Sequence, residues 1–200
     1  MNETVQIPKG WELKKISDIC NVDTGYAFKS NNFQTKGIPL IRIGNIQNDK
    51  ITLKNNTVFL DKKLVEKHQK FVVEKNQILI ALSGATTGKS AIYDKNETVF
   101  LNQRVGRIKF LKENLILQQF VYYFIKKIGI ELLKKSHGGA QPNISPKLIE
   151  NFEIMIPLDD QITYKIVQKL DDIFNQLEEK KNKIFVNQNH LEKSEELLLS

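Results

Sequence analysis

The 200-residue sequence contains few of the residues that mark particular classes of protein. Its single cysteine, Cys20, excludes an intramolecular disulfide framework and a zinc site built from cysteines. A reducing, cytoplasmic location is the expectation that follows. The N-terminal segment lacks the apolar core of a secretory signal, and the apolar stretch near Phe120–Ile125 is too short to cross a membrane. We therefore expect no membrane partner.

Motifs that would indicate catalysis, a metal or a cofactor are also missing from the sequence. The three histidines, His68, His137 and His190, are not clustered and do not form a metal-binding motif. There is no nucleophile-elbow, dinucleotide-binding or acceptor-adenine motif. The sequence thus predicts no catalytic residue, no metal and no cofactor, and it favours a protein that acts by binding.

Two segments resemble catalytic motifs only in part. SGATTGKS looks like a phosphate-binding loop, but three residues separate Gly84 from Gly88 where that motif requires four. We interpret the segment as a polar turn between two strands. Asp171, Glu178 and Lys180 have the spacing of nuclease metal ligands, but they lie within a predicted helix and indicate solvated surface charges.

Charge is divided unevenly along the chain. Residues 1–150 contain 24 Lys and Arg against 13 Asp and Glu, a net charge of +11, whereas residues 151–200 contain 6 against 10, a net charge of −4. A basic body suits a polyanion, and nucleic acid is the most common one. The alternative is a soluble protein with a lysine-rich surface.

Apolar and β-branched runs predict an α+β fold, because the strands and helices do not alternate as in a doubly wound sheet. The predicted strands are Ile38–Ile46, Gln77–Leu82, one beginning at Ser90–Tyr93, and Thr98–Phe110. The predicted helices are Asp61–Gln69 and a longer one from Asn114 to about Lys135, with Gly129 as a weak point or break.

The C-terminal third predicts a fixed order of short elements before a long helix. A glycine-rich loop at His137–Asn143 precedes Ser145, which suits the N-cap of a short helix. A strand at Phe152–Ile156 follows. Asp159 and Asp160 then favour the positive end of a new helix. These signals divide the chain into a body at 1–157 and a helix at 158–200.

Heptad spacing in the last forty residues predicts a coiled-coil helix, which would span roughly 60 Å. The second apolar line fails after Phe174, so the first half of the seam is better packed than the second. The alternative is a lone amphipathic helix folded against its own domain. The predicted seam consists of Val167, Leu170, Phe174, Leu177, Ile184, Leu191 and Leu198.

Candidate DNA contacts are the cations and small polar residues that can reach phosphates or base edges. Arg104 and Arg107 lie three residues apart on a predicted strand, so they should point to opposite faces, and one of them should be structural. Lys29 follows the aromatic residues Tyr26 and Phe28, as in a base-contacting loop. The full set of candidates is Lys29, Arg42, Ser83, Thr86, Thr87, Lys89, Arg104 and Arg107.

Six segments occur in an order that is typical of one known family. They are IPKGWELKKISDIC, TGYAFKS, GIPLIRIGNI, SGATTGKS, LNQRVGRI and GGAQPNIS, followed by PLDDQ and the heptad helix. Together, from about Ile7 to Glu196, they resemble the DNA specificity subunit of type I restriction-modification systems. The resemblance covers nearly the whole chain.

This resemblance implies a target recognition domain at 1–157 and, at 158–200, a spacer helix that forms an antiparallel coiled coil. Such a subunit reads double-stranded DNA at a split site and performs no chemistry. It positions a methyltransferase subunit, which uses S-adenosylmethionine, and a restriction-translocase subunit. The chain has a single recognition domain and a single spacer helix, and it ends at Ser200 within that helix. We therefore expect a half subunit or a fragment.

Pairing would complete such a half subunit. Two copies joined through Val167–Leu198 would read a palindromic split site, since each half would meet the same sequence. A second, different half is the alternative. Two other functions remain open from the sequence: a small complete enzyme, and a DNA-binding regulator that uses the helix only to dimerise.

Overall fold

A computed structural model describes residues 6–47, 49–54, 57–135 and 143–199 and confirms the α+β fold. The strands are β1 (Trp11–Lys15), β2 (Cys20–Thr24), β3 (Ile38–Ile41), β4 (Ile46–Gln47), β5 (Lys50–Ile51), β6 (Val58–Leu60), β7 (Val72–Val73), β8 (Ile78–Ala81), β9 (Ser90–Ile92), β10 (Val99–Leu101), β11 (Val105–Phe110) and β12 (Glu153–Pro157). The helices are α1 (Lys62–Lys67), α2 (Leu115–Lys135), α3 (Pro146–Glu150) and α4 (Asp160–Leu199).

Two four-stranded sheets form the centre of the body. One has the order β6-β3-β10-β7 and the other the order β2-β11-β8-β9. Neighbouring strands are antiparallel except β3 and β10, which run parallel. Two smaller pairs, β1 with β12 and β4 with β5, complete the sheets of the described residues.

Strand β8 is apolar throughout because both of its faces are buried. Leu79 and Ala81 belong to a cluster with residues of β3, β9, β10 and β11. Ile78 and Ile80 belong to a second cluster, which includes apolar residues of α2, α3 and β12. Alternate side chains of a strand point to opposite faces, so this one strand contributes to both cores.

Two of the predicted strands are confirmed, and two others are not continuous over their predicted ranges. The predictions at Gln77–Leu82 and from Ser90 are confirmed by β8 and β9. The prediction of one strand at Ile38–Ile46 is wrong, because β3 ends at Ile41 and a 3-10 turn follows. The prediction of one strand at Thr98–Phe110 is also wrong, because a turn divides it into β10 and β11, which belong to different sheets.

The side chain of Asn102 stabilises that turn. Its Oδ1 accepts a hydrogen bond from the backbone N–H of Arg104 at 3.3 Å, and its carbonyl accepts one from Val105 at 2.9 Å. Asparagine often forms such local bonds and so favours a turn within an otherwise extended run. Arg104 therefore lies in a connection between the sheets, and Arg107 lies on β11.

Capping residues place the helices where the sequence predicted them. The Oδ1 atom of Asn114 accepts from the N–H of Leu117 at 2.9 Å at the start of α2, and the Oγ of Ser145 accepts from Leu148 at 3.1 Å at the start of α3. The predicted short helix near Asp61 is confirmed by α1. The glycine-rich loop predicted at His137–Asn143 lies outside the described residues, except for Asn143 itself.

Gly129 does not break α2, and that prediction is wrong. The helix is continuous from Leu115 to Lys135. A Cβ atom at Gly129 would lie 2.1 Å from the carbonyl oxygen of Gly88, so the glycine allows α2 to approach the β8–β9 connection closely. Packing against a distant segment, rather than a weak point in the helix, explains this residue.

We call α4 the rod and residues 6–157 the body. The first half of the rod packs on the body: Val167 is 4% exposed, and the Phe174 ring stacks on that of Tyr123 with 5.1 Å between centroids. The Nζ of Lys126 lies 3.9 Å from the centre of the Phe174 ring. It also lies 2.7 Å from the carboxylate of Asp49. The predicted assignment of Val167 and Phe174 to a partner seam is therefore corrected, because both belong to the contact with the body.

The second half of the rod leaves its apolar residues exposed. Leu177 is 47% and Ile184 58% exposed, and Ile173, Phe185 and Val186 are exposed as well. Leu170 is half-buried, and the side chains of Leu191 and Leu198 lie outside the described residues. Among the described helices, none has the length and apolar character needed to cross a membrane.

Candidate nucleic-acid interface

Residues 83–89 connect β8 and β9 and lie against the 3-10 turn that follows β3. The hydroxyl of Thr86 donates to the carbonyl oxygen of Ile43 at 3.0 Å. Gly84 and Gly88 have φ values of +84° and +83°, a region that favours glycine. The glycines of SGATTGKS therefore determine the shape of a turn, in agreement with the interpretation drawn from their spacing.

Two polar grooves lie beside this loop. The first, which we call the Arg104 groove, has a volume of about 600 Å³. Asn143 brings the segment before α3 into it, because residue 143 forms a β-bridge with Ser83 and Ile144 donates to the carbonyl of Leu82 at 2.7 Å. Its lining residues are Thr24, Leu82, Ser83, Gly84, Gln103, Arg104, Asn143, Ile144, Ser145 and Pro146.

The second groove, which we call the Arg42 groove, has a volume of about 630 Å³. Asn45 organises its wall: its Oδ1 accepts from the N–H of Arg42 at 2.9 Å, and its Nδ2 donates to the carbonyl of Thr52 at 3.0 Å. The lining residues of the groove are Arg42, Gly44, Asn45, Gln47, Thr52, Lys54 and Thr57.

The composition of these two grooves suits a polyanion. Each contains at least one cation and several hydroxyl or amide side chains, and neither has a carboxylate in its lining. A third groove, of about 730 Å³, has both Glu74 and Glu113 in its lining beside Lys75 and Lys109. It lies at the opposite end of β8 and β11, and its carboxylates would repel phosphates. Of these three grooves, the Arg104 and Arg42 grooves therefore suit phosphates better than the third.

The predicted DNA-contact residues divide between the grooves and the surrounding surface. Arg42 lines one groove, and Ser83 and Arg104 line the other. Lys29 and Lys89 are exposed outside both grooves. The half-buried Thr86 holds the loop on the turn through its bond to Ile43, as described above. These residues remain predicted contacts.

Arg107 does not fit a DNA contact, and that prediction is corrected. It is 1% exposed, and its Nε and NH2 atoms donate to the two carboxylate oxygens of Asp23 at 2.9 and 2.7 Å. NH1 donates to the carbonyl of Val72 at 2.6 Å and NH2 to that of Lys70 at 2.9 Å. The guanidinium therefore connects β2 and β11 to the edge of the other sheet.

Thr87 does not fit a DNA contact either. It is 1% exposed, and its hydroxyl donates to the carbonyl oxygen of Gly84 at 2.6 Å. Its position inside the turn gives it a structural role. The sequence could not show which of Thr86 and Thr87 is buried, because the two are adjacent residues of the same type.

The prediction of DNA contacts missed four polar residues of the Arg104 groove, namely Thr24, Gln103, Asn143 and Ser145, the last of which was predicted only as a helix cap. Gln103 could have been predicted as a contact from the sequence, because it lies next to Arg104 in a short polar segment between two apolar ones. Thr24 and Asn143 could not have been predicted from the sequence, because pairing between distant parts of the chain brings them to the groove.

Ionisable groups elsewhere in the body are buried for structural reasons. Burial, with a smaller contribution from the carboxylate of Glu150, raises the pKa of the Cys20 thiol to about 12. Burial also raises the pKa of Tyr123, and the hydrogen bond that its hydroxyl donates to Asp171 acts in the same direction. The described residues contain no group of three or more His, Cys, Asp or Glu arranged to hold a metal ion.

Comparisons with known proteins agree on one family. The family model described as type I restriction modification DNA specificity domain matches residues 8–184. The MjaVIII type I restriction enzyme specificity subunit of Methanocaldococcus jannaschii is 29% identical over 187 residues. The EcoAI type I restriction enzyme specificity subunit of Escherichia coli is 28% identical over 179 residues. The alignments cover 90% and 84% of this chain but only 43% and 29% of those proteins.

Solved structures show the same fold. A chain in a structure of a type I R-M system, solved in a study of its complex assembly and conformational transition, has a TM-score of 0.67 at 17% identity. The HsdS subunit from Thermoanaerobacter tengcongensis has a TM-score of 0.64 at 16% identity. Both comparisons cover 88% of this chain, and they cover 41% and 40% of those chains. The chain thus spans less than half the length of the relatives it matches.

Proposed function

Because the chain belongs to the family of type I restriction-modification DNA specificity domains, we propose that its body reads one half of a split DNA site. The observation that carries the proposal is the pair of grooves beside residues 83–89, each with a cation and polar side chains and without a carboxylate. Neutralisation of phosphates supplies affinity, and groove-facing side chains supply sequence selection.

Adjacent residues on one turn would do most of the reading in the Arg104 groove. Arg104 can bond in a bidentate manner to guanine, and Gln103 can do the same to adenine. Asn143 and Thr24 also line the groove and add further hydrogen-bonding capacity. Arg42 and Lys54 in the other groove suit phosphate contacts, which fix the register of the body on the duplex.

The chain would carry out no chemistry of its own. We infer that a methyltransferase subunit and a restriction-translocase subunit act on the DNA that this chain selects, with S-adenosylmethionine as the methyl donor of the former. A stand-alone regulator would need neither subunit. Co-purification of a methyltransferase subunit with the tagged chain from its source cells supports the proposal, and its consistent absence would favour the regulator.

The exposed half of the rod would complete the unit by pairing. Leu177 and Ile184 continue the heptad line beyond the part that the body covers, and Ile173, Phe185 and Val186 are further exposed apolar residues of this half. Two antiparallel rods would place two bodies at a fixed separation. A homodimer would then read a palindromic split site, and a different half subunit would produce an asymmetric one.

Replacing Arg104 with alanine should weaken binding to the preferred duplex by about 10- to 100-fold, because a bidentate contact to a base contributes about 1–3 kcal/mol. Selection from a random duplex library first identifies the preferred sequence, and fluorescence anisotropy at two salt concentrations then measures affinity. Lys75→Ala, in the mixed-charge groove, is the matched control and should change affinity less than about threefold. Wild-type protein that binds no duplex even at low salt would contradict the proposal.

Replacing Ile184 with glutamate should weaken association of the rods by about 10- to 100-fold, because a carboxylate would have to be buried in the seam. Light scattering coupled to size exclusion should find wild-type protein at twice the chain mass of 23.1 kDa and the variant largely at the chain mass. Asn182→Glu adds the same charge outside the heptad line and should still dimerise. A wild type that is strictly monomeric at high concentration would exclude the homodimer.

A further inference from the structure

We propose that Tyr26 is a stacking site for an unpaired DNA base, next to the Arg104 groove. The inference rests on the proposed function, because it assigns a further contact to the same DNA-binding end of the body. It concerns an aromatic cluster, formed by Tyr26, Phe28, His68 and Phe71, which the two grooves do not include.

The cluster supports Tyr26 firmly and leaves much of it accessible. The Tyr26 ring lies 4.5 Å from His68, 4.9 Å from Phe28 and 5.4 Å from Phe71, measured between centroids. Phe28 is 6% exposed and packs on the fully buried Phe100. Tyr26 nevertheless remains 41% exposed. Because its neighbours already hold the Tyr26 ring in place, the ring loses little conformational freedom when a planar ligand stacks on it.

Backbone contacts fix Tyr26 beside the Arg104 groove. Its N–H donates to the carbonyl of Leu101 at 3.0 Å, and it forms a parallel bridge with Asn102. The preceding Gly25 lies so close to Leu101 that a Cβ atom there would be 1.9 Å from the carbonyl oxygen. Tyr26 is two residues beyond Thr24, which lines the groove. A duplex held in the groove would therefore lie next to the ring.

Arg107 fixes the other side of the cluster. Its bonds to the carbonyls of Lys70 and Val72 hold the residues on both sides of Phe71 against the sheet. The buried arginine, which makes no DNA contact itself, therefore gives the aromatic cluster a rigid support. The arrangement agrees with a preformed site rather than a surface that must reorganise on binding.

The surrounding charge favours nucleic acid as the occupant. Lys29, Lys67 and Lys70 are exposed beside Phe28, His68 and Phe71 in the chain, and Glu66 is the exposed carboxylate of the same segment. The excess of cations suits the phosphates that accompany a base, and base–aromatic stacking accepts any of the four bases. A purely apolar protein segment would gain nothing from the lysines.

The accessible ring selects an unpaired base because the faces of paired bases are covered by their neighbours in the duplex. A base exposes a face only after it leaves the stack, and mismatched or unpaired bases leave most easily. The expected ligand is therefore a duplex that contains one unpaired nucleotide near the half site. Stacking on one ring is worth about 1–3 kcal/mol.

Two matched duplexes test the inference, one fully paired and one with a single unpaired 2-aminopurine at scanned positions beside the preferred half site. Wild-type protein should bind the second about 5- to 100-fold more tightly at one position, with quenched 2-aminopurine fluorescence. Tyr26→Ala should abolish both the preference and the quenching, and an unchanged circular dichroism spectrum would show that the variant is folded. Tyr26→Phe, which keeps the ring, should retain the preference.

Equal affinity for the two duplexes at every position would overturn the inference, as would a Tyr26→Ala variant that keeps the preference. Loss of methyltransferase capture by Tyr26→Ala, with unchanged DNA binding, would instead assign the ring to a protein contact. Wild-type protein that binds neither duplex refutes the proposed function itself, so the two failures are distinguishable.

Discussion

Arg107→Ala should lower the free energy of unfolding by about 3 kcal/mol, the largest effect expected of any arginine in the body. Removing one partner of a buried ion pair typically costs about 3–5 kcal/mol, because the other partner loses its compensation. Here the variant would remove the donor to the carbonyl oxygens of Lys70 and Val72. Asp23 would lose two short hydrogen bonds and keep the Nζ of Lys109, at 3.8 Å, as an ion-pair partner. The Asp23 side chain is 34% exposed and can partly regain water, which places the loss near the lower limit.

Urea-induced unfolding measures this effect, and Arg104→Ala is the matched control. Arg104 is exposed in a turn, so its removal should change stability by less than about 0.5 kcal/mol. Lysine at position 107 should recover little, because an ammonium group cannot bond to both carboxylate oxygens and two carbonyls in a plane. If Arg107→Ala unfolds at the wild-type urea concentration, the role assigned to this residue is wrong.

Gly129→Val should destabilise the body by about 3 kcal/mol. A Cβ atom at this position would lie 2.1 Å from the carbonyl oxygen of Gly88, so α2 must move away from the β8–β9 connection by about 1 Å. Overpacking typically costs about 1–3 kcal/mol. We expect the upper limit for Gly129→Val, because the new side chain would clash with backbone atoms, which cannot move aside as a side chain can. The better helix propensity of valine offsets only a few tenths of a kcal/mol of that cost.

Lys127→Val introduces the same side chain two residues earlier on an exposed surface of α2 and serves as the control. It should change the free energy of unfolding by less than about 0.5 kcal/mol. Thermal unfolding followed by circular dichroism distinguishes the two variants. Because the loop at 83–89 contains Gly88, Gly129→Val should also weaken DNA binding, whereas Lys127→Val should not. Equal stability of the two variants would contradict the close approach.

Local patterns in the sequence predicted those elements whose formation depends on local chemistry. The apolar run of β8 and the capping positions of Asn114 and Ser145 are visible without any knowledge of the rest of the chain. The interruption at Asn102 was missed because the run of β-branched and apolar residues around it outweighs a single turn-forming residue. Propensity alone does not reveal that the chain passes there from one sheet to another.

Several of the residues that were interpreted incorrectly have partners far away in the sequence. Gly129 looks like a defect in a helix until Gly88 is placed beside it. The sequence predicts that one of Arg104 and Arg107 is structural, but only the pairing with Asp23 shows that it is Arg107. The same limit applies to Phe174, whose heptad position is compatible both with a partner helix and with α2. In each case a single sequence supplies the residue type but not its neighbour, which the tertiary fold determines.

The pairing of β1 with β12 has a consequence for biosynthesis. Trp11 lies opposite Pro157 in the register of this two-stranded sheet, and β12 is the strand partner of β1 among the described residues. During translation, β1 therefore has no strand to pair with until β12, the last strand of the body, has left the ribosome. Until then its backbone hydrogen-bonding groups are not paired within a sheet. Such long-range closure slows folding and leaves an edge open to aggregation in the meantime. A nascent chain that stalls before residue 153 should thus depend strongly on chaperones.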